Sequence, residues 1–380
     1  MLAGALSALV LATAAGPVWA APEGRVSFMR GAESGFDRFT LGPGPAQRRW
    51  MREHYWRMRT YAPYFDARLS WSPGAWTYKD AYAIHPGSTR SSAAARFVLR
   101  DEAGRRLYIP WGCSGGTCPQ WAADIGDPAF RAAWIAEARA QLAAGYRGLY
   151  VDDVNMLLQV SDGRGRLVAP IDPRTDEPMR LQDWRRYMAT FMEQIREALP
   201  DAEIVHNVIW FAGDDDPLVA RQLRAADYTA LERGVNDPGI TGGGGRFGFR
   251  TFLDYVDRRH ADGGAVVYDS RPTSSRERVY GLATYLLTSS GRDGIGSDEG
   301  GTPADWWPGY DLDLGEAAGP RRLVDGVWRR DFDGGTVLVN EPQARTRTVR
   351  PGPGLRRLDG SRATAVRLGP ATGAILLRSR

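Results

Sequence analysis

Gly148-Leu149-Tyr150-Val151-Asp152-Asp153-Val154-Asn155 is the stretch that decides the fold. Leu149, Tyr150 and Val151 run out of a glycine into two aspartates, as in a buried strand that delivers acids at its C-terminal end. Upstream, Asp127-Pro128 has the form of a helix start, a capping aspartate followed by proline in the first turn. Phe130, Trp134, Ala138 and Leu142 then recur at helical spacing, and the segment ends near Gly145. Downstream, Trp184, Tyr187, Phe191, Ile195 and Leu199 mark a second helix that stops at Pro200. Helix, strand and helix in this order predict an α/β fold with a parallel sheet.

The alternation continues outward. Strands are predicted at Glu203–His206, Tyr228–Glu232, Ala265–Asp269 and Gly294–Gly296, with helices near Pro217–Arg224, Phe249–Arg259 and Arg276–Thr288 between them. Toward the N-terminus, Arg25–Arg30 is a candidate first strand, and the second and third are sought around Tyr61–Leu69 and Phe97–Arg100. That makes about eight strand–helix units, the number a closed (β/α)8 barrel of the TIM type needs. A doubly wound sheet is the rival, but no Gly-rich phosphate fingerprint follows the first strand. After about Pro320, short alternating strands at Val327–Phe332, Gly335–Asn340, Arg345–Arg350 and Ala374–Arg378 are split by Gly, Pro and Asp turns. The expected organisation is a signal peptide over 1–20, the barrel over 21–319 and a small C-terminal antiparallel β-sandwich over 320–380.

Composition excludes several classes. Of the 380 residues, 43% are hydrophobic and 25% charged, which suits a globular protein with a large core. No segment after the first twenty residues is apolar enough to span a bilayer. The net charge of +4 comes from 49 basic and 45 acidic residues that are intermixed, so no nucleic-acid partner is expected. Residues 1–20 are uncharged, and Val18-Trp19-Ala20 is a small-x-small cleavage pattern before Ala21, so the chain is expected outside the cytoplasm. Cys113 and Cys118 bracket Ser-Gly-Gly-Thr, which reads in an exported chain as one local disulfide shaping a surface loop.

Acids recur where the predicted strands end: Asp152 and Asp153 after the fourth, Glu232 at the sixth, Asp269 at the seventh and Asp298 beyond the eighth. A barrel brings these ends to one face, where so many carboxylates would repel one another unless chemistry needs them. Glycoside hydrolysis needs two: one to protonate the leaving oxygen, the other to attack the anomeric carbon or activate water. Glu232, with the longer reach, suits acid/base duty, and Asp152 suits the nucleophile. Strand alternation sends Asp152 and Asp153 to opposite sides, so only one can face the axis. Tyr150 shares the parity of Asp152, which favours Asp152 and leaves Asp153 to orient it or a sugar hydroxyl. His206, Asn207, Trp210, Tyr268, Asp269, Arg271, Asp298, Trp306 and Trp307 supply the aromatic faces and polar groups that bind sugars. The Asp214–Asp216 run is read as the cap of the helix at Pro217.

These motifs carry a resemblance. Gly148 to Asn155, with Ala123-Asp-Ile-Gly-Asp-Pro upstream and Leu231-Glu-Arg-Gly downstream, resembles hypothetical glycosyl hydrolase family fifteen. The strand into Asp152 is also similar to that of polygalactosaminidase-type barrels, where a fourth-strand aspartate and a later glutamate form the catalytic pair. The segment Arg329 to Asn340 resembles the β-domain that follows many glycosidase barrels. The resemblance implies a secreted glycosidase with Asp152 and Glu232 as its pair and a polysaccharide or oligosaccharide as substrate. A carboxyl separation of about 5–5.5 Å is expected, as in retaining enzymes, against roughly 6.5–9.5 Å for inverting ones. A monomer without cofactor or metal is expected. The alternatives are a barrel that binds glycan without turnover and a metal-dependent hydrolase, for which four histidines are too few for zinc but calcium or magnesium would serve.

Overall fold

Side chains of one parity on eight short strands point at a common axis. They come from β1 (Phe28–Gly31), β2 (Arg57–Arg59), β3 (Ala75–Asp80), β4 (Gly148–Asp152), β5 (Glu203–Asn207), β6 (Tyr228–Glu232), β7 (Ala265–Asp269) and β8 (Gly294–Gly296). The strands form a closed parallel barrel in sequence order, β8 pairing with β1. The computed structural model describes residues 21–60, 67–87, 94–213 and 215–379. The expected signal peptide, and Tyr61 to Asp66 of one expected early strand, lie outside the described residues.

The barrel interior is layered. Met29, Trp76, Tyr78, Tyr150, Val205, Ala230 and Val267 fill its middle. Below them, Glu203 accepts hydrogen bonds from Arg57 (2.7 and 2.9 Å), Arg147 (2.7 Å) and the Trp76 indole (2.8 Å). Trp56 closes the floor over Gly294, where a Cβ would come within 2.5 Å of the indole. The opposite parity packs outward: Leu149, Val151, Ile204, Leu231 and Val266 meet the helices in the largest core. Each such side chain, fully buried, contributes roughly 1.5–3 kcal/mol.

Six helices of eight or more residues surround the barrel among the described residues: α1 (Pro45–His54), α2 (Pro128–Leu142), α3 (Leu181–Ala198), α4 (Pro217–Arg224), α5 (Phe249–Ala261) and α6 (Ser275–Thr288). Asp127 caps α2 by accepting from Ala129 N–H, and Asp216 caps α4 by accepting from Leu218 N–H. No described helix crosses a membrane in length and apolarity. The early strands were expected in the wrong place. β2 and β3 occupy Arg57–Arg59 and Ala75–Asp80, while Phe97–Arg100 makes only a 3-10 turn end and isolated bridges to Ala123 and Arg106. β2 escaped notice because two of its three residues are arginines that point into the barrel and pair there with Glu203 and Asp269, so it lacks the apolar run of a buried strand.

The C-terminal segment is a five-stranded antiparallel sheet in the order β9 (Arg322–Val324), β10 (Val327–Phe332), β11 (Gly335–Asn340), β15 (Thr372–Arg378), β13 (Leu355–Arg357). A two-stranded pair, β12 (Arg347–Val349) and β14 (Val366–Leu368), covers one face through Val327, Leu338, Val366, Leu368 and Leu376. The other face, with Val337, Val339 and Ile375, joins the barrel core. The approach to α6 is close: a Cβ on Gly373 would lie 2.6 Å from that of Ala283.

Candidate active site

The last inward residue of each strand sets the chemistry of the barrel mouth. Register places Asp80 beside Asp152 and Glu232 beside Asp269, with Asn207 on the strand between β4 and β6. Above them opens a cavity of about 820 Å³. Asp152, Asp153, Asn207, Trp210, Glu232 and Arg271 all line it.

Asp152 is held by three donors. The Tyr78 hydroxyl donates to Oδ2 (2.5 Å), Asn207 Nδ2 to Oδ1 (2.6 Å) and the Asp153 backbone N–H to Oδ1 (2.8 Å). Burial and then the charge of Asp80 push its carboxyl above the usual aspartate range, against the pull of those donors. Tyr78 also lies 3.0 Å from Asp80 Oδ1, and Asp80 Oδ2 lies 3.0 Å from His85 Nε2. Burial beside two carboxylates drives the Tyr78 hydroxyl far up, so it remains a donor.

Asp153 was expected off the barrel axis, orienting Asp152 or a sugar hydroxyl, and its side chain lines the same cavity as Asp152. It leaves strand geometry with φ at 53°, a left-handed conformation that turns its side chain into the cavity. There Oδ1 accepts from Trp111 Nε1 (3.2 Å) and Asn155 Nδ2 (3.1 Å). Burial, then the charges of Asp152 and Asp80, push its carboxyl well above the usual range. Arg233 and Arg271, each just past a strand end, are also left-handed, with φ of 62° and 37°. Three non-glycine residues in this costly region gather at one barrel mouth, which makes it the candidate site.

Glu232 is the most open of these acids, its side chain 49% exposed. Arg271 donates to Oε1 at 2.9 Å, while Oε2 has no protein donor among the described residues. Arg271 also grips Asp269 (3.0 and 3.1 Å), and Asp269 accepts from the buried Arg59 (3.2 Å). Asp269 is therefore enclosed between two guanidiniums beneath the cavity and does not line it.

Several expected binders lie elsewhere. His206 sits on the outward parity of β5, fully buried against α4, with Gln222 Nε2 2.8 Å from Nδ1. Tyr268 points outward from β7 and bonds Thr288 Oγ1 at 2.6 Å. Asp298 pairs with Arg30 beside β1, outside the cavity. Trp306 and Trp307 are core-facing: Trp306 stacks edge-on against Phe28 (5.1 Å) and Trp50 (5.5 Å), and Trp307 against Tyr310 (5.0 Å). Conversely, Asp80, Tyr78, His85, Trp111 and Phe211 line the cavity without having been singled out. Asp80 likewise ends a strand, but one whose run Trp76-Thr-Tyr-Lys-Asp80 alternates where that of Asp152 is apolar throughout, and the sequence places the third strand elsewhere.

Cys113 and Cys118 are bonded (S–S 2.09 Å), and the residues flanking that bridge, Trp111 (51% exposed) and Gly112 before it and Pro119 and Gln120 after it, form one wall of the cavity. Val208 to Phe211 and Asp237 form the other. Among the described residues, no three His, Cys, Asp or Glu side chains converge as a metal-ligand set.

Residues 58–336 match hypothetical glycosyl hydrolase family 15. No curated protein matches in sequence. Solved structures with a similar fold include the glycoside hydrolase domain of PelA from Pseudomonas aeruginosa (16% identity, TM-score 0.43, 74% of this chain and 96% of that one). An alpha-amylase from Lactobacillus plantarum is another (13%, TM-score 0.49, 93% and 99%). At such identities and scores neither bears on the chemistry of this chain.

Proposed function

The chain belongs to hypothetical glycosyl hydrolase family 15, and from that premise we propose that it hydrolyses an extracellular polysaccharide with Asp152 and Glu232 as the reacting carboxylates. One observation carries the proposal: acids from two strand ends line one cavity, one held rigidly and the other open on one oxygen. Asp152, fixed by three donors, attacks the anomeric carbon while the glycosidic C–O bond breaks. Glu232 passes its proton to the leaving oxygen through Oε2, the oxygen Arg271 leaves uncovered. Water then gives a proton back to Glu232 and its oxygen to the anomeric carbon, releasing Asp152 with net retention. Trp111 and Trp210 offer faces for sugar rings. Action outside the cytoplasm is part of the proposal, supported by the uncharged apolar start and the Cys113–Cys118 bond; intact mass of secreted material should show a chain beginning at Ala21.

The test is reducing-end release from a panel of bacterial and fungal wall polysaccharides. Asp152→Asn should abolish release from natural and activated aryl substrates alike. Glu232→Gln should abolish release from polysaccharide but partly spare aryl glycosides, whose leaving groups need little protonation. A second reading gives the proton-donor role to Asp153, because its carboxyl is pushed well above the usual range and faces the same cavity. In that case Asp153→Asn, not Glu232→Gln, shows the leaving-group dependence.

A further inference from the structure

Glu341 follows directly on β11 of the C-terminal sheet, yet it is buried and its three donors come from both domains. Oε2 accepts from Gly243 N–H (2.8 Å), and Oε1 from Arg250 Nε (2.9 Å) and the Trp328 indole (2.8 Å). Gly243 lies in Thr241-Gly-Gly-Gly-Gly-Arg-Phe247-Gly248, the loop between β6 and α5. Four consecutive glycines have little conformational preference of their own, and ordering them costs more entropy than ordering any other residues. Here they are ordered from outside. Gly242 runs so close to the C-terminal domain that a Cβ would meet Pro342 O at 2.2 Å. Thr241 N–H donates to Phe247 O (2.9 Å), closing the loop. At its closing end Phe247, 42% exposed, packs edge-on against Phe211 (4.8 Å), and Phe211 lines the cavity. Arg246 lies over both rings.

Resting on the glycosidase reading above, we propose that Glu341 is a positioning residue for substrate: it pins the glycine loop so that Phe247 and Phe211 stand as a preformed aromatic wall for the glycan. The C-terminal domain thereby takes part in binding without touching the reacting bond. Pinning before the ligand arrives removes an ordering cost from binding.

The experiment uses the full-length chain with Glu341→Gln, which keeps the shape and removes the charge, and Trp328→Phe, which removes one donor only. Hydrogen exchange of residues 241–248 is expected to speed up in both, more in the first, with the barrel strands unchanged. Retardation in gels containing the panel polysaccharides, read in an Asp152→Asn background so that no turnover intervenes, should weaken by about five- to tenfold for Glu341→Gln, a loss typical of a disordered binding loop. Adding Phe247→Ala should then weaken it little further, because both changes remove the same wall. Unchanged loop exchange, unchanged retardation, or fully additive losses would each overturn the proposal. Faster exchange throughout the barrel would make Glu341 a general structural residue and overturn it equally. Failure of the wild type to release reducing ends would instead count against the glycosidase reading, since retardation is measured without turnover.

Discussion

Tyr78 has one hydroxyl proton and two carboxylates within reach, Asp152 at 2.5 Å and Asp80 at 3.0 Å. Because, among the described residues, it is the only side-chain hydroxyl on Asp152, Tyr78→Phe should leave that oxygen free to swing. A hydrogen bond to a charged group is worth roughly 1.5–3 kcal/mol, so kcat should fall about 10–100-fold with KM little changed. Steady-state kinetics check this, and an unaltered kcat would mean that Asn207 and the Asp153 N–H suffice. Asp153 makes a second case. Its folded carboxyl titrates above the ordinary value of 3.8. Below that value both folded and unfolded chains hold the proton and the site is neutral to stability. As pH rises, the unfolded chain ionises first, so a penalty grows and is complete above the folded value. Asp153→Asn keeps the acceptor for Trp111 and Asn155 and should stabilise the protein by about 1 kcal/mol at pH 7, with the gain vanishing below about pH 4. Urea midpoints at the two pH values decide it. Asp152 and Glu232 were legible as acids ending clear strands, whereas Asn207 was placed after the fifth strand and its inward position on it is seen only in the structure. The turn of Asp153 into the cavity was not legible, since no local rule selects a left-handed aspartate there.

At the scale of the element, a one-residue step separates cavity from core. Asn207 donates to Asp152, while His206, its neighbour, is walled in behind β5. The alternation that favoured Asp152 over Asp153 would have excluded His206 and Tyr268 had it been applied to β5 and β7 as well. Trp306 and Trp307 misled for another reason: a Pro-flanked segment reads as an exposed loop, but this one folds back onto Phe28, Tyr55 and Tyr310. The burial of His206 has a measurable effect. Burial, and secondarily Arg259 and Arg196, push its imidazole down to about 3 from an ordinary 6.5. Above pH 6.5 it is neutral in both states. As pH falls below 6.5 the unfolded chain takes up a proton that the folded one refuses, so stability is lost, about 2 kcal/mol by pH 5. His206→Gln should flatten the dependence of unfolding free energy on pH between 6.5 and 5; an unchanged slope would place the proton elsewhere.

Across the whole molecule, the barrel and the sheet behind it share one core. Arg330, buried on β10, donates to the carbonyls of Leu286 (3.2 Å) and Ser289 (2.7 Å) at the C-terminal end of α6 and pairs with Glu23 at 2.9 Å. A cation there satisfies carbonyls that the helix cannot and complements its dipole. Arg330→Met should cost roughly 1–3 kcal/mol by leaving them without a donor, seen as one lowered transition; two separated transitions would show domains that unfold independently. The seam was only half legible in sequence. The strand-and-turn texture after Pro320 announced a second domain, but nothing local announced that Gly373 would meet Ala283 or that Glu341 would reach a loop about a hundred residues earlier.

Among the described residues, Trp56 at the floor and Trp76, Tyr78 and Tyr150 above it plug the barrel beneath the acids, so the cavity is closed below and opens on the side of the strand ends. On the proposed chemistry, the attacking water must arrive by the route the severed fragment takes to depart. Turnover then has an obligatory order, departure before arrival, and any small alcohol waiting at the threshold competes with water for the sugar held on Asp152.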